Sequence, residues 1–369
     1  MLCGVQPAAA QHFDPCTPEG VIEQFAIWTG TGDMTEADIA EWVDLYEASE
    51  CPEPIKAGAR AVAEAFLSMQ ADSSGAGTVT YTLPGGGVYR IEARVGAAAE
   101  DVSEALDALA PRAGDEWLNV SPDGAWLLLS TDRFDPDCAG WACLALVSAD
   151  LSAAEVLRVG GAVIHGGFGV AAPGGDLVVY ESGEGAHSLD LAAVVRGGDG
   201  WTAPVFLTAE SPYAWNSQPA ISADGARLVF NCGDEPYAAE DTAICEVAAD
   251  GTGFRVVLSP DRMPSDVANA LNRPAYAPDG SIVFESDWGG TERIWRLSPG
   301  QDEPYLVTDV FTNDNSPCVL PDGRIVSLWL NREGGQGYHE LKVMSADGSD
   351  YDMLVVDIDL LDGVMGCGR

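Results

Sequence analysis

Lysine is nearly missing from this chain: 369 residues contain two, Lys56 and Lys342. Eighteen basic residues face 58 acidic ones, a formal charge of −40. Such a surface repels polyanions, which argues against nucleic acid and against an anionic membrane face as partners. Long apolar runs are missing too, and nothing reaches the roughly 18 consecutive apolar residues of a membrane span. No G-x-S-x-G elbow occurs, so a serine peptidase domain is not expected. Dinucleotide fingerprints and P-loops are absent from any suitable context. Histidine is scarce, with only His12, His165, His187 and His339, too few to suggest a histidine-built metal centre. With 58 acids, carboxylate pairs are unavoidable and say little about glycoside chemistry.

Cysteine is present, nine times, but never as CxxC or with zinc spacing. Proximity along the chain suggests disulfides Cys16–Cys51, Cys138–Cys143, Cys232–Cys245 and Cys318–Cys367, and hence an oxidising compartment. Cys3 is left over. It lies in "MLCGVQPAAAQ", where Ala8-Ala9-Ala10 fits a signal-peptidase site before Gln11. Residues 1–10 therefore read as a signal-peptide remnant or a tail. A lipid anchor on Cys3 is the alternative, although Leu2 is bulky for such a signal.

Residues 11–77 read as a helical N-terminal region with an irregular start over 11–34. "TEADIAEWVDLYEAS" predicts one helix, with Thr35 and Asp38 as a capping box and Ile39, Trp42, Val43 and Tyr46 on one face. A second is expected over 54–70, with Ile55, Ala59, Val62, Phe66 and Met69 inward. Residues 78–111 read as a hairpin around Gly85-Gly86-Gly87 and a helix over about 99–109 that buries Val102, Leu106 and Leu109.

From residue 112 to 369 helical periodicity gives way to repetition. The phrase "PAYAPDGSIVFESDWGGTERIWRL" sets an Asp-Gly turn between two apolar runs and adds a third run after a second turn. Variants begin at Asn119, Gly169, Ser217 and Asn315. Their turn glycines, Gly124, Gly175, Gly225, Gly280 and Gly323, are spaced by 51, 50, 55 and 43 residues. A fourth run follows in each unit. One four-stranded unit cannot bury both of its faces, so units at this period must close into a β-propeller. The fold class is mainly β, a propeller of four-stranded blades with a small α-helical N-terminal region. Six blades are favoured over five, the sixth drawn from the 78–95 hairpin, from residues near Leu360 to Val364, or from both.

Over residues 112–358 the units resemble the TolB-like β-propeller repeat. The resemblance rests on a proline four positions before the one in the Pro-Asp-Gly turn (Pro219, Pro274 and Pro317, with Leu118 and Gly169 in its place elsewhere), on the Asp-Gly turn, and on the "IVFESDWGG…IWRL" run. It implies the propeller fold. Relatives of this repeat are binding platforms in the bacterial envelope, gating domains of peptidases and sugar-acid lyases, so it does not choose a function.

Position offers the candidate site. Residues preceding the first strand of each blade should ring one mouth of the channel: Asp115, Glu116, His165, Trp215, Asn216, Asn272, Arg273, Asn313, Asp314 and Asn315. Their side-chain oxygens would suit a polar peptide, or a hard cation at Asp314 and Asn313. Asx turns capping the strand entries are the plainer explanation. The expected protein is periplasmic or secreted, monomeric, without catalytic residues or obligate cofactor (calcium optional), and binds a protein or peptide. The alternative is a carbohydrate-active propeller, lyase or glycoside hydrolase, with its site at the channel mouth.

Overall fold

A computed structural model describes residues 15–29, 36–73, 77–83, 87–110, 115–138, 142–198, 200–235, 242–263, 270–288, 290–309, 312–331, 338–356, 360 and 364–368. Cys3, the Ala8-Ala9-Ala10 site, His12 and Thr35 of the capping box lie outside them. The chain divides into two compact units, residues 1–75 and 76–369.

The first unit holds helices α1 (Pro18–Thr29), α2 (Glu36–Glu47) and α3 (Glu53–Ser73). Helix α1 replaces the irregular start expected over 11–34. Thr17, Pro18 and Gly20 look like loop punctuation in the sequence, yet here they start a helix. Thr17 Oγ1 accepts the Gly20 N–H at 3.1 Å, and Pro18 occupies the first turn, where its missing N–H costs nothing. Val21 and Phe25 follow one turn apart. They pack with Ile39, Trp42, Tyr46, Ala59 and Ala63 in a single core, in which Phe25 meets Trp42 edge-on with centroids 4.7 Å apart. The Cys16–Cys51 disulfide joins the entry of α1 to the loop before α3.

The second unit is a propeller of six blades. Blade 1 comprises Asp115–Val120, Trp126–Thr131, Cys143–Ser148 and Ala154–Val156. Blade 2 comprises Gly167–Ala171, Leu177–Ser182, Asp190–Gly197 and Val205–Phe206, with a short extra strand at Gly200–Trp201. Blade 3 comprises Trp215–Ile221, Arg227–Gly233, Ala243–Ala248 and Arg255–Leu258. Blade 4 comprises Leu271–Tyr276, Ile282–Ser286, Arg293–Leu297 and Tyr305–Leu306, and blade 5 Asp314–Val319, Ile325–Asn331, Tyr338–Met344 and Tyr351–Val355. Blade 6 takes its inner strand, Met365–Gly368, from the end of the chain. Its other three, Thr78–Thr82, Val88–Glu92 and Glu100–Asp101, come from before blade 1. The sixth blade thus uses the 78–95 hairpin, while Leu360 and Val364 pack beside it rather than forming its strand. Residues 100–101 pair with Tyr89 and Arg90, so helix α4 is shorter than expected, Ser103–Leu109.

Closure is visible in the packing. Each of the six pairs of neighbouring blades has its own apolar core. Blade 1 meets blade 2 through Leu144 and Tyr180, blade 2 meets blade 3 through Leu191 and Phe230, and blade 3 meets blade 4 through Val229 and Phe284. Blades 4 and 5 share Val283 and Ile325, blades 5 and 6 share Val326 and Ile91, and blades 6 and 1 share Val88 and Leu127. Six sheets in an open stack would share five such cores; six require a circle. Burying Phe230 or Phe284 fully contributes about 2–3 kcal/mol each. The Cys318–Cys367 disulfide ties the inner strands of blades 5 and 6, where the end of the chain closes the ring. Cys232–Cys245 crosses two strands of blade 3, and Cys138–Cys143 closes a loop of blade 1. All four expected disulfides are therefore formed.

Candidate functional site

The six inner strands run side by side along the axis, each entering at one mouth and leaving at the turn that follows it. A cavity of about 140 Å³ sits at the entry mouth, and six of its lining residues, Trp117, Phe168, Gln218, Arg273, Ser316 and Met365, come one from each blade. The first five stand seven residues before their turn glycines, Gly124, Gly175, Gly225, Gly280 and Gly323. A second cavity of about 120 Å³ lies at the turn end, lined by Val120, Ile221, Tyr276, Val319 and the turn residues Pro122, Ala223, Pro278 and Pro321.

The entry ring has two unlike halves. Met365, Trp117 and Phe168 form an apolar arc, with the Trp117 and Phe168 rings 3.6 Å apart between centroids. Gln218, Arg273 and Ser316 form the polar arc. Each of these three precedes the repeat proline and adopts positive φ, 53°, 47° and 53°, at a register shift in its inner strand. Proline cannot donate to the ladder, so it is tolerated at such a bulge, which blades 1 and 2 also form without it. A non-glycine residue at positive φ costs about 1–2 kcal/mol, so something must hold it.

The holding groups come from the preceding blade. Glu181 of blade 2 accepts the Gln218 amide at 2.8 Å and the Ser217 hydroxyl. Gln218 Oε1 in turn accepts the Arg273 amide at 2.9 Å. Glu285 of blade 4 accepts the Ser316 amide at 2.6 Å and lies 3.8 Å from Arg273 Nε. Arg273 Nη1 donates to Ser316 Oγ. Burial pushes both carboxyls above the usual carboxylate range, Glu181 to about 7. Among the described residues Arg273 is the one cation in the lining of this cavity, and its guanidinium has more donors than Ser316 takes.

Of the residues expected at the mouth, Arg273 stands in this ring. The rest lie one to three positions upstream of it. Asn216 is fully buried and donates to the carbonyls of Leu189 and Tyr213, both at 3.2 Å. Asn272 accepts from Asn231 at 3.3 Å, and Asn315 donates to Glu292 at 2.9 Å. Asp314 is fully buried in an ion pair with Lys342, and Ser327 Oγ donates to it at 3.0 Å. Asp115 is held by Arg133 in the same manner, at 2.6 Å. The Asn313 carbonyl receives the Leu330 amide at 2.9 Å, Trp215 opens the inner strand of blade 3, and His165 lies 3.7 Å from Cys143 Sγ. Among the described residues no group of three or more His, Cys, Asp or Glu side chains is arranged to hold a metal ion. Trp117, Phe168, Gln218, Ser316 and Met365 were not singled out from sequence; the constant offset from the turn glycine would have found all but Met365.

No protein-family model matches the chain, and no curated protein matches it. Among solved structures, a TolB-type protein from Agrobacterium tumefaciens is 19% identical with a TM-score of 0.53, over 76% of this chain and 88% of that one. TolB from Acinetobacter baumannii is 14% identical over 83% of this chain and 60% of its own, with a TM-score of 0.39. An oligogalacturonate lyase in complex with manganese is 16% identical over 73% and 70%, with a TM-score of 0.46. The first likeness supports the propeller fold, and the other two carry no argument.

Proposed function

We propose that the propeller is an extracytoplasmic binding module that holds a peptide segment of a partner protein at its entry mouth, without catalysis. The observation that carries this reading is the split ring. An apolar side chain of the ligand fits against Met365, Trp117 and Phe168, while Arg273 takes a carboxylate across the opening. With a chain charge of −40, a ligand bearing a single carboxylate in an otherwise neutral or basic segment suits the site better than an acidic run. Four disulfides favour a periplasmic or secreted setting. Calcium is not needed for this role.

Selection of random peptides displayed against the full chain tests it. Enriched peptides should pair an aromatic or large aliphatic residue with one carboxylate. Trp117→Ala and Arg273→Ala should each weaken their binding roughly thirtyfold, as truncation of such anchors does. Enriched peptides that bind both variants as tightly as the native chain would overturn the site.

One observation favours the carbohydrate-active alternative. Glu181, at about 7, lies in the range of a general acid. Its carboxylate is engaged by Ser217 and Gln218, so a catalytic role requires release of that latch. Turnover of acidic oligosaccharides that is lost in Glu181→Gln would favour this second reading over the first.

A further inference from the structure

Basic residues are rare here, yet three of the sixteen arginines (eighteen basic residues less two lysines) line one groove. The groove is a cavity of about 330 Å³ between the outer strands of blade 3 and the turns of blade 4. Arg227 and Arg255 converge on Glu246, at 3.5 and 2.9 Å. Arg262, from the short turn of helix after blade 3, pairs with Asp302 at 2.7 Å and donates to the Val257 carbonyl at 2.9 Å. The carboxylate of Glu246 is 9% exposed, and its second oxygen also accepts the Tyr276 hydroxyl at 3.0 Å. It is a fixed part of the wall. Asp302 is 94% exposed, so its ion pair contributes little and is readily exchanged for a better acceptor.

Three guanidiniums carry about fifteen N–H donors, and among the described residues five donor contacts to protein are made: one from Arg227, two from Arg255 and two from Arg262. Among the lining residues, Glu246 and Asp302 leave the three guanidiniums in excess by one charge, and by two when Asp302 swings away; Asp224, which interacts with Arg227, lies outside the lining. The corresponding groove of blade 5 is the reverse: Arg324 is outnumbered by Asp322, Asp350 and Asp352. The repeat geometry therefore does not impose the arginines.

The geometry points to a binding site for a tetrahedral oxyanion, phosphate or sulfate, free or as a monoester, in the groove of Arg227, Arg255 and Arg262. Guanidinium forks match the oxygens of such a group edge to edge, with stronger bonds than neutral donors make. Asp302 occupies the anion's place at Arg262 when the site is empty, and Tyr276 holds Glu246 back.

Isothermal titration calorimetry of the full chain tests this at fixed ionic strength, with inorganic phosphate, sulfate, acetate and chloride. Saturable one-to-one binding of phosphate or sulfate is expected, with acetate and chloride much weaker. A rise in affinity between pH 6 and 8 for phosphate alone would identify the phosphate dianion; equal binding of sulfate would identify the wider class. Arg255→Ala and Arg262→Ala should each lose about tenfold, the worth of one charge-assisted bond. Asp302→Asn should bind more tightly than the native chain, a gain that no unfolding artefact can mimic. Arg324→Ala in blade 5 should change nothing. Heats that do not saturate, equal responses to acetate, or affinity unchanged in the arginine variants would overturn the proposal.

Discussion

The two arcs of the entry ring are made by the same repeat, at the same distance from the same turn, yet their backbones differ. In blades 3, 4 and 5 a proline follows the ring residue, the ring residue takes positive φ, and its amide is caught by a side chain of the blade before. In blades 1, 2 and 6 the next residue is Leu118, Gly169 or Gly366, and Trp117, Phe168 and Met365 keep negative φ. The proline is thus more than a family mark. The inner strands of blades 1 and 2 shift register at the same place without it; what goes with the proline is positive φ at the residue before it, and that conformation needs a latch. Glu181 and Glu285 supply the latches for blades 3 and 5, and Gln218 Oε1 supplies the one for blade 4; Asn231, at the repeat position of the two glutamates, donates to the Asn272 side chain instead. Ser130, at the same repeat position in blade 1, makes only a 2.7 Å bond to the Gly166 carbonyl. Polar chemistry at one arc is a consequence of its backbone, and the apolar arc is left free to carry large side chains.

The comparison breaks most visibly at Glu285. Glu285→Ala leaves the buried Ser316 amide without its acceptor and removes the carboxylate 3.8 Å from the partly exposed Arg273 guanidinium. It should destabilise the propeller by about 3 kcal/mol. Ser130→Ala, its counterpart on the other arc, should cost about 1 kcal/mol. Urea unfolding of the two variants checks the contrast, and equal losses would mean that the proline blades are not specially latched.

Glu181 sharpens the same contrast through pH. Its folded carboxyl holds a proton up to about 7, above the ordinary 4.5. Between those values the folded chain binds more protons than the unfolded one, so this group makes stability fall as pH rises through the window, by up to about 3 kcal/mol. Above pH 7 its contribution is flat. Glu181→Gln should remove the slope between pH 4.5 and 7 and keep an acceptor for the Gln218 amide. Melting temperatures measured across that range would show it.

Legibility in the sequence followed locality. The blades could be read because each carries its own Asp-Gly turn and apolar runs within about fifty residues. The sixth was harder, since Met365–Gly368 and Thr78–Thr82 lie at opposite ends of the propeller and neither end alone has the repeat phrase. The disulfides were legible from proximity, even Cys318–Cys367, which spans 49 residues. Apart from Arg273, the residues expected at the mouth lie one to three positions upstream of the entry ring, because Asn216 and Asp314 look like strand-preceding polar caps. They are instead buried strand residues, and the partner of Asp314, Lys342, is two strands away. Nothing local marks such a partner. The latches were invisible for the same reason: Glu285 and Ser316 are 31 residues apart and belong to different blades.

The smallest effect is also the most discriminating, because its sign differs between the arcs. At positive φ, glycine relieves backbone strain that any other residue bears. Ser316→Gly keeps the amide that Glu285 holds but removes the hydroxyl that bonds Arg273 and Asn315; relief of strain should at least balance those losses and leave the fold as stable or more so, within about 1 kcal/mol. Phe168→Gly has no strain to relieve; it removes a ring packed on Trp117 and frees the unfolded chain further, and should destabilise by at least 2 kcal/mol. If both substitutions destabilise alike, positive φ at Ser316 is not strain held by a latch, and the division of the ring into a constrained polar arc and an unconstrained apolar one does not hold. If the signs differ, the three proline blades are the constrained side of the mouth and Trp117, Phe168 and Met365 the unconstrained one.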